Sequence, residues 1–163
     1  MTAYNTITTT SASKALNNTK SRVFDDFCEL MIRVFIALEE EEWSENLGWD
    51  TAFGQSVSDA ETAWKLVAAQ AETVSSATPL SMDDLLLHRL AGLISSAVSA
   101  PSVAVLEVIQ ERSIHAVAHA PAYVAAAVQD LAHEAQLCID QLIEHAHANG
   151  PLERPYSGAP VAC

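Results

Sequence analysis

Glycine and proline are scarce in this chain, five and six in 163 residues, and alanine is abundant through its middle. Both facts favour helix. No apolar run approaches the roughly 18 residues that a membrane span needs, so none is expected. The first residues lack the apolar stretch of a secretory signal. The cysteines, Cys28, Cys138 and Cys163, are few, odd in number and unclustered. They read as free thiols in a reducing compartment, which points to the cytoplasm.

Basic residues are few as well. Eight Lys and Arg face 21 Asp and Glu, for a net charge of −13. A duplex-binding protein carries a basic footprint, and none is visible, so direct nucleic-acid binding is not expected. Phosphate loops, dinucleotide glycine patterns and nucleophile elbows are also missing. No repeat of about 20–50 residues stands out. These absences name no reaction, and the chain reads as a non-enzymatic protein. The acidity reads first as a solvated surface. A basic partner, or mimicry of nucleic-acid charge, is the alternative.

What is present is helical periodicity. Residues 1–20, rich in Thr, Ser and Asn, read as a disordered tail. Residues 21–150 read as one domain, and 151–163 as a proline-containing tail. The first helix is expected from about Arg22 to about Leu47. Val23, Phe27, Leu30, Met31, Val34 and Leu38 form its buried row. Cys28, Ile32 and Ile36 form a second apolar row beside it. The apolar arc is wider than one packing partner needs, so this helix is either central in the fold or meets another subunit. Glu39 to Glu42 lie near its C-terminal end, where the macrodipole disfavours anions; the run reads first as solvated charge, and a bound cation or basic partner that offsets the cost is the alternative. Trp43, Leu47, Trp49 and Phe53 follow, and either fold back onto the core or form a partner patch.

Four further helices follow. Ser58-Asp59-Ala60-Glu61 has the form of a capping box and predicts the start of the second, which ends near Ser76. Its inner face is Ala60, Ala63, Trp64, Val67, Ala71 and Val74. The third is expected to start at Ser81, with Asp83 and Asp84 in its first turn. Leu86, Leu90, Leu93, Ile94 and Ala97 form its core row, and His88, Gly92, Ser95 and Ser99 a small-residue packing groove opposite. Pro101 suits the first turn of the fourth and Pro121 the start of the fifth. The fifth should run to about Ala148, with Val124, Val128, Leu131, Ala135, Cys138, Leu142 and Ala146 as a coiled-coil-like seam. The expected fold is an all-α, up-down bundle of about five helices.

One stripe carries candidate chemistry. Glu107, Glu111, His115 and His119 recur every four residues and climb one helix face. Two imidazoles at i and i+4 are a spacing that metal sites use, and Glu111 completes the candidate ligand set for a divalent metal. The same order also suits ordinary Glu–His pairing and the helix dipole. The stripe lies opposite Leu106, Ile109 and Val117, so a further ligand would have to come from another helix or chain. Asp130/His133 and Glu144/His147 share one outward face of the fifth helix, unlike an inward di-metal core. No cofactor is expected beyond that metal. The apolar surplus of Ile32, Ile36, Trp43, Trp49 and Leu137 favours a scaffold or interaction protein that self-associates. A metal- or small-ligand-binding bundle and an acidic effector of a basic partner are the rival readings.

Overall fold

The computed structural model describes residues 21–46 and 53–149. They form an all-α bundle of five helices: α1 (Arg22–Asn46), α2 (Phe53–Ser76), α3 (Met82–Val98), α4 (Val103–Ala118) and α5 (Ala126–Asn149). No strand occurs among the described residues. None of their helices is long and apolar enough to cross a membrane. The tails expected at 1–20 and 151–163 lie outside the described residues, as do Leu47 and Trp49.

The core is built from the expected rows. Phe27, Leu30 and Val34 of α1, Val67, Ala71 and Val74 of α2, and Leu87, Leu90 and Ala91 of α3 are fully enclosed. From α5 come Ala132, Ala135, Ile139 and Leu142. The helix at the centre is α3, which packs against all four others. Its sequence explains this: Leu86, Leu90, Ile94 and Ala97 make one buried row, and Leu87, Ala91 and Val98 make a second beside it. Helix α1 packs on α2, α3 and α5 only. Its wide apolar arc does not place it at the centre.

Three helix starts differ from the sequence expectation. Helix α2 begins at Phe53, so Ser58 lies inside it and its carbonyl accepts the Thr62 hydroxyl at 2.8 Å. Inside a helix the amides of Ala60 and Glu61 already have carbonyl partners one turn back, so the Ser-x-x-Glu pattern has nothing to cap. Helix α4 begins at Val103, after Pro101, with Ser102 as an N-cap that makes no side-chain bond. Before α5, Pro121 opens a turn rather than the helix. The Val124 amide donates to the Pro121 carbonyl at 3.0 Å, and the Ala125 amide donates to Asp83 Oδ1 at 3.3 Å. That tertiary bond and the burial of Val124 hold the turn, which sequence spacing does not reveal.

The small-residue face of α3 is not a tight packing groove. A Cβ added at Gly92 would meet nothing within 4 Å. His88 on that face instead donates from Nε2 to the Ser75 carbonyl at 2.7 Å, satisfying a group near the C-terminal end of α2.

Candidate functional site

Helix α4 is held by a narrow inner face. Leu106, Ile109 and Ser113 are buried, and the helix packs only on α3 and α5. Glu107, Glu111, His115 and His119 therefore fall on its exposed side. His119 is the C-cap, and its Nδ1 donates to the His115 carbonyl at 3.0 Å. The two imidazoles stack, with centroids 3.9 Å apart and planes at 16°. At the other end of the stripe, His147 Nε2 of α5 comes to 4.0 Å from Glu107 Oε1. The neighbouring helix thus meets the stripe at Glu107, away from the imidazole pair. No group of three or more His, Cys, Asp or Glu side chains among the described residues is placed to hold a metal ion. The stripe is an exposed pair of imidazoles and a row of solvated carboxylates, and such a pair holds a divalent ion weakly.

On α5, Asp130, His133, Glu144 and His147 are all exposed, on the side away from the buried seam. His133 Nδ1 donates to the Gln129 carbonyl at 2.7 Å. The Cys138 thiol offers little nucleophilic chemistry. Burial, with a smaller contribution from the Glu134 carboxylate, pushes the Cys138 thiol up to about 12, so it stays protonated at neutral pH. Cys28 is half-buried.

A second surface is more developed. Helix α1 presents apolar side chains on two opposite sides. One side is the buried row of Phe27, Leu30, Val34 and Ala37. The other carries Ile32, Phe35, Ile36 and Trp43, with exposures from 44% at Phe35 to 65% at Trp43. Phe35 was not singled out by the sequence reading, although it stands three residues from Ile32 and shows the same helical signal. Glu39 and Glu42 are exposed beside this outer row. Glu41 turns the other way: its Oε2 accepts the Trp64 indole N–H of α2 at 2.8 Å. The acidic run is therefore partly internal and not wholly a solvated charge cluster. Leu137 is exposed on α5, the only large apolar side chain so exposed on that helix among the described residues, and a lone exposed leucine is ordinary.

An open groove of about 480 Å³ lies between the end of α3 and the start of α4, lined by Ser96, Ser99, Pro101, Val105, Val108 and Arg112. Its two hydroxyls donate back to helix carbonyls, Ser96 to Gly92 at 2.8 Å and Ser99 to Ser95 at 2.9 Å, and converge on nothing. No protein-family model, curated protein or solved structure matches this chain.

Proposed function

We propose that this chain is a non-enzymatic helical scaffold that self-associates through the outer face of α1. The observation that carries this reading is the register of Ile32, Phe35, Ile36 and Trp43, an apolar row on the side of α1 opposite its own core. Polar residues suffice for a solvent-facing helix side, and an apolar stripe there is the pattern of a helix with two partners. Each such side chain is worth ~1.5–3 kcal/mol on full burial, and about half of that remains to be gained here. Association costs ~4–15 kcal/mol, so the contact is weak and concentration-dependent rather than obligate. Neither Cys28 nor Cys138 is in a disulfide, which suits a reducing compartment such as the cytoplasm.

Sedimentation equilibrium of the full chain tests the reading. The expected result is a reversible dimer or higher species in the micromolar range, converted to monomer by Ile36→Glu with unchanged helicity. A wild-type chain that stays monomeric at a concentration on the order of 10⁻⁴ M overturns it.

The second reading is an acidic surface that takes a basic protein partner. It is favoured by Glu39 and Glu42 standing exposed beside the same stripe. In a pull-down, the charge-reversed variant Glu39→Lys/Glu42→Lys would then lose that partner.

A further inference from the structure

We infer that two copies of this chain pair through α1 in an antiparallel, two-fold arrangement, with Arg33 of each copy beside Glu40 of the other. The inference rests on the self-association proposed above. It starts from spacing: Ile32, Ile36, Glu39 and Trp43 succeed one another at intervals of four, three and four, the alternation of fours and threes that makes a two-helix seam. Asp25 and Glu29 continue the same seam toward the N-terminus. The apolar part is thus short and is interrupted by one carboxylate.

That interruption separates the two orientations. In a parallel, in-register pair each seam residue faces its own copy, so Glu39 would face Glu39 inside the contact and desolvate two like charges. In an antiparallel pair Ile32 meets Trp43 of the second copy, and Ile36 meets Glu39. Each Glu39 then lies against an aliphatic side chain and can bend its carboxylate to the edge.

Charge along the helix argues the same way. The N-terminal half of α1 holds both of its basic residues, Arg22 and Arg33, against three acids, Asp25, Asp26 and Glu29, and so is close to neutral. The C-terminal half holds Glu39, Glu40, Glu41, Glu42 and Glu45 and no base. Parallel pairing sets the acidic halves against each other, whereas antiparallel pairing sets each against the half with the arginines. Flanking positions of a helix pair choose partner and orientation in this way. In the antiparallel register Arg33 and Glu40 occupy equivalent flanking positions on the same edge of the seam. Arg33 is partly exposed and already bonded through Nε to Glu29 at 3.0 Å, which leaves its terminal nitrogens for a second carboxylate. A two-fold axis makes the contact twice, Arg33 to Glu40 and Glu40 to Arg33.

The test is a charge swap read by sedimentation equilibrium on the full chain. Arg33→Glu alone and Glu40→Arg alone should each weaken self-association, on the order of tenfold. Mixing the two variants should restore it, because the mixed pair has complementary charges at both contacts. A wild-type chain that is monomeric overturns the self-association itself. A wild-type dimer whose swap variants are unaffected, or are not restored by mixing, overturns only the antiparallel arrangement. Should either variant lose helicity, disulfide formation reads the same register in a Cys28→Ser/Cys163→Ser background. Ile32→Cys chains mixed with Trp43→Cys chains should give the mixed disulfide, and an Ile32→Cys homodisulfide overturns the arrangement.

Discussion

The Ser21 hydroxyl donates to the Asp84 carboxylate, joining residues 63 positions apart in the chain. The same hydroxyl oxygen accepts the Phe24 amide at 3.1 Å, as an N-cap side chain does for α1. Asp84 Oδ2 accepts the Leu80 amide at 3.0 Å, and Ser81 Oγ, the N-cap of α3, accepts the Asp84 amide at 3.0 Å. One buried carboxylate therefore fastens the N-terminal ends of two helices, where both dipoles favour a negative charge.

Acid should loosen that joint. Burial pushes the Asp84 carboxyl up, but the bonds from Ser21, from the Leu80 amide and from Ser81 together outweigh it and hold the group below its usual 3.8. A folded-state value below the unfolded one stabilises the fold above about pH 4, and that stabilisation is lost as pH falls through the lower value. Protonating the other carboxylates also relieves repulsion in a chain of net charge −13, so the comparison must be internal. Urea midpoints of the wild type should fall more steeply with acid than those of Asp84→Asn. At neutral pH, Asp84→Ala should cost about 2–4 kcal/mol, because it strands the Leu80 amide and the Ser21 hydroxyl.

Substitutions on α3 and on the outer face of α1 should behave oppositely. Leu90 is fully enclosed in the one helix that touches all the others, so Leu90→Ala should destabilise by about 3–5 kcal/mol. Ile36→Ala, on the exposed row, should change monomer stability by no more than about 0.5 kcal/mol. Denaturation at low protein concentration separates the two.

Thiol labelling should distinguish the cysteines. With its thiol held near 12, Cys138 should resist alkylation at mildly alkaline pH while Cys28 reacts, and both should react in denaturant. Mass spectrometry of labelled peptides reads this directly. The same shift means that stability contributed by a neutral Cys138 is present below about pH 9 and declines as pH rises toward 12.

Zinc should bind the stripe only weakly. Two exposed imidazoles without a third ligand predict chemical-shift changes at His115 and His119 that saturate well above equimolar metal. Stoichiometric binding by micromolar protein, abolished by His119→Ala, would revive a metal site shared with a second chain.

Much of this architecture was legible in the sequence. Apolar spacing placed the row from Val23 to Val34, the inner face of α2 and most of the α5 seam, because each is a one-dimensional pattern read by a core. Proline and capping signals placed helix starts less well. Pro121 and Ser58 carry local preferences that the Ala125–Asp83 bond and the continuing helix before Ser58 override. The role of Asp84 was only half visible: a first-turn acid suits the dipole, but its burial against Ser21 depends on the N-terminal ends of α1 and α3 lying together. The outer row of α1 was legible as a surplus, and its exposure required knowing that α3 takes the centre.

The narrow footing of α4 has a dynamic consequence. It leans on two neighbours, fully buries only Leu106 and Ile109 of its apolar side chains while Val103, Ala116 and Val117 are half-covered, and is tied to α5 by a bond of 2.6 Å from Gln110 Nε2 to Asp140 Oδ1. An element with so few enclosed contacts is the natural first unit to detach in a sub-global opening, while α1, α2, α3 and α5 stay assembled. Native-state hydrogen exchange would then find α4 amides protected by a free energy well short of the global value, and α3 amides protected to its full extent.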